Sequence, residues 1–164
     1  MSVNRYQPHV LVLPEDDANR QMANGFLKDP TLLTHRIQVL VPADGWMKVL
    51  ECFKSDHVRE MDRYSKRFMV LLIDFDGHEE RIAYAKNFVP ARLLDRVFVL
   101  GVLKEPQDLN EARLGDLETI GTALAKDCRE ETDTTWGRDP FKHNSGEIVR
   151  LRERVRPFLF QTER

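Results

Sequence analysis

The apolar run Phe68-Met69-Val70-Leu71-Leu72-Ile73 ends in Asp74-Phe75-Asp76-Gly77, so a strand-like segment delivers two carboxylates at its carboxyl end. At a strand's period of two, Asp74 and Asp76 share a side and Phe75 takes the other, where it can pack. Carboxylates about 4 Å apart at an effective dielectric near 20 repel by roughly 4 kcal/mol, so the pair calls for a cation, a shared proton or wide splaying. A hard divalent ion, Mg²⁺ or Mn²⁺, meets that need most simply, because such ions favour carboxylate and water oxygens. A second acid arrives the same way: His9-Val10-Leu11-Val12-Leu13 is followed by Pro14 and then Glu15-Asp16-Asp17. Two strands that both end in acids can form one site.

The elements that position these residues follow from the pattern of the chain. Strand-length apolar runs alternate with helix-like segments, which predicts an α/β domain with a mainly parallel, four-stranded central sheet flanked by helices. Strands are expected over 9–13, 36–41, 68–74 and 96–100, and helices over 16–28, after Gly45 (Trp46, Val49, Leu50, Phe53), over 79–88 and over 107–131. Residues 132–145, rich in Thr, Asp, Gly and Pro, read as an ordered loop, and an amphipathic helix over 146–156 precedes apolar Phe158-Leu159-Phe160. The expected organisation is thus an α/β domain over 1–131 with a loop and C-terminal helix, 132–164, packed on it. In such sheets sites form at the carboxyl ends of strands. Glu15, Gly45, Asp74, Asp76 and Glu105 all fall there.

Composition sets outer limits. The chain has 164 residues, 41% hydrophobic and 32% charged, the balance of one folded globular unit rather than a disordered chain. A formal charge of -2 gives no global basic signature, so contact with nucleic acid needs a local patch or a bridging metal. Cys52 and Cys128 stand far apart with no metal-binding spacing, which argues against a disulfide framework or zinc site. No stretch approaches a membrane span and the N-terminal apolar run is shorter than a signal-peptide core, so a cytoplasmic protein with no membrane partner is expected. There is no internal repeat.

The order of acids resembles the topoisomerase-primase, or Toprim, domain. Its members carry a glutamate after the first strand, a glycine-containing turn, and an Asp-x-Asp after a later strand. Here Glu15 in Val12-Leu13-Pro14-Glu15, Gly45 in Val41-Pro42-Ala43-Asp44-Gly45, and Asp74 with Asp76 match that order over roughly residues 9–105, with spacing closer to the domains of OLD-type nucleases and small bacterial proteins. The chain departs from the pattern at Asp16, Asn19 and Glu79. The resemblance implies metal-dependent phosphodiester chemistry on nucleic acid, as a small nuclease or nuclease subunit. Asp74 and Asp76 would hold Mg²⁺ or Mn²⁺, and Glu15 would be a ligand or general base. Glu105 would serve a second metal and Lys104 a developing oxyanion, although Lys104-Glu105-Pro106 also suits a plain strand-to-helix junction.

Other readings stay open. Val10-Leu11-Val12-Leu13-Pro14-Glu15-Asp16-Asp17 also resembles the opening of a response-regulator receiver, with Asp74 as phosphoacceptor and Leu103-Lys104-Glu105-Pro106 as its lysine-proline turn; a receiver has a further strand between those two sites. The third reading is a non-catalytic binding or assembly module, a protein partner or homo-oligomer being suggested by Phe158-Leu159-Phe160. Asp16 and Asp17 suit a helix N-terminus. His78 reads as a surface residue or a proton carrier. Arg150 and Arg154, after His143-Asn144-Ser145-Gly146-Glu147, form either a salt-bridged helix face or a phosphate-contacting stripe. Trp136 is expected to pack in a core or stack on a base.

Overall fold

The computed structural model describes residues 3–103, 115–139 and 141–161. Four strands, β1 (His9–Pro14), β2 (Ile37–Val39), β3 (Arg67–Leu72) and β4 (Val97–Leu100), form one all-parallel sheet in the order β2-β1-β3-β4. β1 and β3 are central and buried on both faces. This is why their sequences are continuous apolar runs rather than alternating ones.

The period of two sorts these side chains into two cores. Val10, Val12, Phe68, Val70, Phe98 and Leu100 pack on one face against α1 (Asp17–Phe26), α5 (Leu117–Glu130), α6 (Ser145–Arg154) and α7 (Arg156–Leu159). Leu11, Leu13, Met69, Leu71, Ile73, Val97 and Val99 face α2 (Trp46–Cys52), α3 (Val58–Arg63) and α4 (Arg81–Lys86). A π-helical turn, Phe53–His57, joins α2 to α3. Of the expected helix over 107–131, α5 is observed from Leu117, with Asp116 as its N-cap after Gly115 at φ 100°, so the helix starts later than expected; Leu109 and Leu114 lie outside the described residues. The last helix breaks at Val155 into α6 and α7. None of the helices among the described residues is long and apolar enough to cross a membrane.

α1 and α5 meet backbone to backbone through two glycines. A Cβ on Gly25 would lie 2.1 Å from the Glu118 carbonyl oxygen, and one on Gly121 would lie 1.9 Å from that of Met22. The close approach sets the depth of α1 on the sheet and so the height of its N-terminus over the strand ends. Gly121→Ala must push the helices apart, at a cost of about 1–3 kcal/mol from overpacking. The expected result is a lower urea midpoint with an unchanged slope. An unshifted midpoint would mean the helices are not held this closely.

β4 lies at the sheet edge, and side chains of the C-terminal segment close it. Asn144 accepts from Gly101 N at 3.1 Å and donates to Gly101 O at 2.8 Å. Glu147 accepts from Val99 N at 3.1 Å, and Arg150 reaches the carbonyls of Leu94 and Val97. Glu147 is 4% exposed, and its charge is met by Arg150 and Lys86. An edge that would otherwise present unpaired backbone groups is sealed by three residues spaced three apart. Trp136 is buried in the same core and donates from its indole nitrogen to Leu124 O.

Candidate metal centre

The two central strands end beside each other, so the acids that follow them converge. Glu15 N donates to Leu72 O at 2.8 Å, extending the β1–β3 pairing by one residue. Its side chain then turns across the strand end, and Oε2 accepts from Asp74 N at 2.6 Å. The Glu15 carbonyl is held from the other side by Asp44 N and Gly45 N at 2.8 and 3.2 Å. Asp44 and Gly45 have φ of 66° and 145°, so the turn before α2 is bent tightly around Glu15. Gly45 thus acts on this site through its backbone.

Asp16 is the N-cap of α1: its Oδ1 accepts from Asn19 N at 2.9 Å and from Asn19 Nδ2 at 3.0 Å. Asn19 Nδ2 also donates to Asp74 Oδ1 at 3.1 Å. One amide therefore bridges a carboxylate of β1's end to a carboxylate of β3's end. Asn19 is 1% exposed, one turn before Met22 and Ala23 on the face of α1 that packs on the sheet. The outcome is a group of three acids, Glu15, Asp16 and Asp74, with one carboxylate oxygen from each within 4.8 Å of the others.

Asp74 is 8% exposed, and burial first, then the charges of Asp16 and Glu15, push its carboxyl up to about 7. Asn19 opposes this shift. Burial also raises Glu15, offset in part by the bond from Asp74 N, with Asp16 and Asp76 adding to the rise. Three acids held this close, one of them out of water, make a site that favours a proton or a cation. The donors are all carboxylate oxygens, the set that suits Mg²⁺ or Mn²⁺ and not a soft metal. The N-terminal end of α1 contributes a further favourable field for negative charge.

Asp76 does not join this group. The ladder continues past β3 through Ile73 N to Leu100 O and Phe75 N to Val102 O, and it keeps Phe75 buried as expected. At Asp76 the backbone turns to φ 47°, and the side chain swings out to pair with Arg81 at 3.1 Å, 47% exposed. The shared side expected for Asp74 and Asp76 fails because the extended period ends between them. Asp16, expected to be a helix-capping acid, fills the third place while also capping.

Among the described residues, Arg81 is the cation hydrogen-bonded to this strand end. It donates to Asp74 O at 2.9 Å and to Asp76, and its guanidinium lies 4.4 Å from the centroid of the Trp46 ring. Arg81 was not singled out by a sequence motif, and Asn19 only as a departure from one. The available signal was an asparagine on the apolar stripe of α1 and an arginine five residues after Asp76. His78 is exposed and pairs with Glu80, and Asp17 is exposed and pairs with Arg20. Lys104 and Glu105 lie outside the described residues.

Of the two readings of the C-terminal arginines, the salt-bridged helix face is the one observed for Arg150. Arg150 is committed to Glu147 and to backbone at the start of β4, and Arg154 lies over Phe68 at 5.9 Å, near the start of β3. Both are at the amino ends of the strands, away from the acids. No family model, curated protein or solved structure matched the chain when each was compared with it.

Proposed function

We propose that the protein is a Mg²⁺- or Mn²⁺-dependent phosphodiesterase acting on nucleic acid, with Glu15, Asp16 and Asp74 as its cation-holding residues. The observation that carries this reading is the convergence of three carboxylates at the carboxyl ends of the two central strands, with Asp74 buried. Bound there, a hard divalent ion supplies an activated water and neutralises charge on the phosphodiester. Asn19 fixes the Asp16 and Asp74 carboxylates relative to each other. Arg81, tethered to Asp74 O and backed by Trp46, places a fixed positive charge where a substrate phosphate would approach. Asp76, exposed and paired with Arg81, would be the carboxylate that takes a proton from water. Lys104 and Glu105 extend the proposal, as an oxyanion contact and a second-metal ligand.

Purified protein incubated with plasmid and with single-stranded DNA and RNA, plus Mg²⁺ or Mn²⁺, is expected to cleave at least one of them. Asp74→Ala should reduce that cleavage at least 100-fold, and undiminished cleavage by this variant would sink the assignment. Cation binding without cleavage of any substrate favours the non-catalytic module.

A second reading has its own support. Asp16, and not Asp76, completes the acidic group, and β2-β1-β3-β4 is the order of the first four strands in flavodoxin-like sheets. Both fit a phosphoacceptor module with Asp74 as the acceptor. Against it, β4 is the one strand after β3 among the described residues. Labelling of Asp74 by acetyl phosphate in Mg²⁺ would establish this reading in place of the first.

A further inference from the structure

The end of the sheet opposite the acidic group carries the reverse charge. Tyr64, buried just after α3, has three guanidinium groups around its ring, with Arg5, Arg63 and Arg67 at 5.4, 5.4 and 5.1 Å from the centroid. Among the described residues none of the three forms an ion pair with a carboxylate. Glu60 is the acid that acts on Arg5 and Arg67, from beyond ion-pair distance. Burial works against the charge on Arg67, and Arg5 adds repulsion.

These arginines are not needed to close α3. Arg96 already donates to the carbonyls of Met61, Tyr64 and Arg67. Arg67, 7% exposed, is held in one orientation: its Nε donates to His9 Nε2 at 3.0 Å, while His9 Nδ1 donates to Gln7 O at 2.7 Å. Burial keeps His9 neutral, so this histidine acts as an acceptor and offers no counter-charge. The terminal nitrogens of Arg67 bond to no other described residue. Beside this trio, Tyr6 stands 74% exposed, edge-on to Tyr64 at 6.0 Å.

The geometry points to this pole as a binding site for single-stranded nucleic acid, Arg5, Arg63 and Arg67 taking backbone phosphate and Tyr6 offering its ring to a base. Three like charges around one ring gain from a shared anion. Planar guanidinium forks match phosphate, and an exposed aromatic beside basic groups is the arrangement by which single strands are held without sequence preference. The site is separate from the acidic one: the seven steps along the chain from Arg67 to Asp74 span about 23 Å when extended. It needs no divalent cation, so it stands or falls apart from the proposed phosphodiester chemistry.

The test is fluorescence anisotropy of the full chain with labelled 12-nucleotide single-stranded DNA and RNA in EDTA, with inorganic phosphate as a separate titrant. Binding is expected, with a slope of log affinity against log salt near -2, the value for about three phosphates on a single strand. Arg5→Glu with Arg63→Glu, both at exposed positions, should weaken it at least 10-fold and Tyr6→Ala about 5-fold or more, whereas Val149→Ala, at a 63% exposed position on α6, should leave it unchanged. A thermal melt verifies that the double variant folds; should it not, Arg5→Gln with Arg63→Gln is expected to weaken binding at least 3-fold. Absence of oligonucleotide binding in EDTA, affinity indifferent to both arginine pairs, or binding of inorganic phosphate alone overturns the proposal.

Discussion

Asp74→Asn is expected to make the metal-free protein more stable above pH 7 while removing its response to Mg²⁺ or Mn²⁺. The carboxyl of Asp74 sits at about 7 in the folded protein against an ordinary value of 3.8. Its folded-state pKa is raised, so stability is fully present below pH 4 and is lost as pH rises toward 7, because the folded state must release a proton that the unfolded chain has already given up. The full span corresponds to about 4 kcal/mol, and relaxation of the partly open site lowers the expected cost to about 2–4 kcal/mol. Asparagine keeps the oxygen that accepts from Asn19 and turns an amide toward the acids, so the repulsion becomes a hydrogen bond. In EDTA the variant should melt about 4–10 °C above the parent at pH 8 and with little difference at pH 5. In saturating Mg²⁺ the parent should gain stability and the variant should not. A variant that melts lower at pH 8, or that keeps the full Mg²⁺ response, would show that Asp74 is not the buried member of a cation site.

Much of this architecture was legible because it is written in short-range pattern. The runs ending at Leu13, Ile73 and Leu100 predict strands of a mainly parallel central sheet, and the sheet has the expected four-stranded, helix-flanked form. Glu15 and Asp74 were legible for the same reason, since whatever follows two adjacent parallel strands must meet. Asp76 was misplaced because period-two reasoning holds only while the chain stays extended, and a positive φ at a single residue redirects everything beyond it. Asp16 was undervalued because one oxygen can cap a helix and also face a neighbouring strand, which no local pattern reveals.

The residues least visible in sequence are those whose partners are distant backbone groups. Arg150 looked like part of a phosphate stripe because its spacing from Glu147 and Arg154 is that of a helix face. It does pair with Glu147 as a salt-bridged helix face would, and its other hydrogen bonds run to Leu94 and Val97, more than 50 residues away. Conversely, Arg63 and Arg67 flank Tyr64 in the chain, but Arg5 lies 59 residues from it and joins them because β1 and β3 are adjacent.

The sealed edge gives the second large effect. Asn144 is fully buried and makes three hydrogen bonds, to Gly101 N, Gly101 O and Phe141 O. Gly101 cannot move to find other partners, because a Cβ there would lie 1.7 Å from Ile73 O; the strand is pressed against its neighbour. Asn144→Ala therefore strands a buried N–H and a buried C=O, each costing about 1–3 kcal/mol, and the expected loss is about 3–5 kcal/mol, or roughly 10 °C in melting temperature. Asn144→Asp preserves the acceptor for Gly101 N but sets a charge against Gly101 O, so it should be no better than alanine. Val149→Ala, at a 63% exposed position on the same helix, should fall within about 0.5 kcal/mol of the parent. With Glu147→Ala added to Asn144→Ala, β4 presents free backbone groups and the protein should associate with rising concentration, read by light scattering. If Asn144→Ala melts with the parent, the edge is held by apolar packing of α6 alone, and its side-chain hydrogen bonds are incidental.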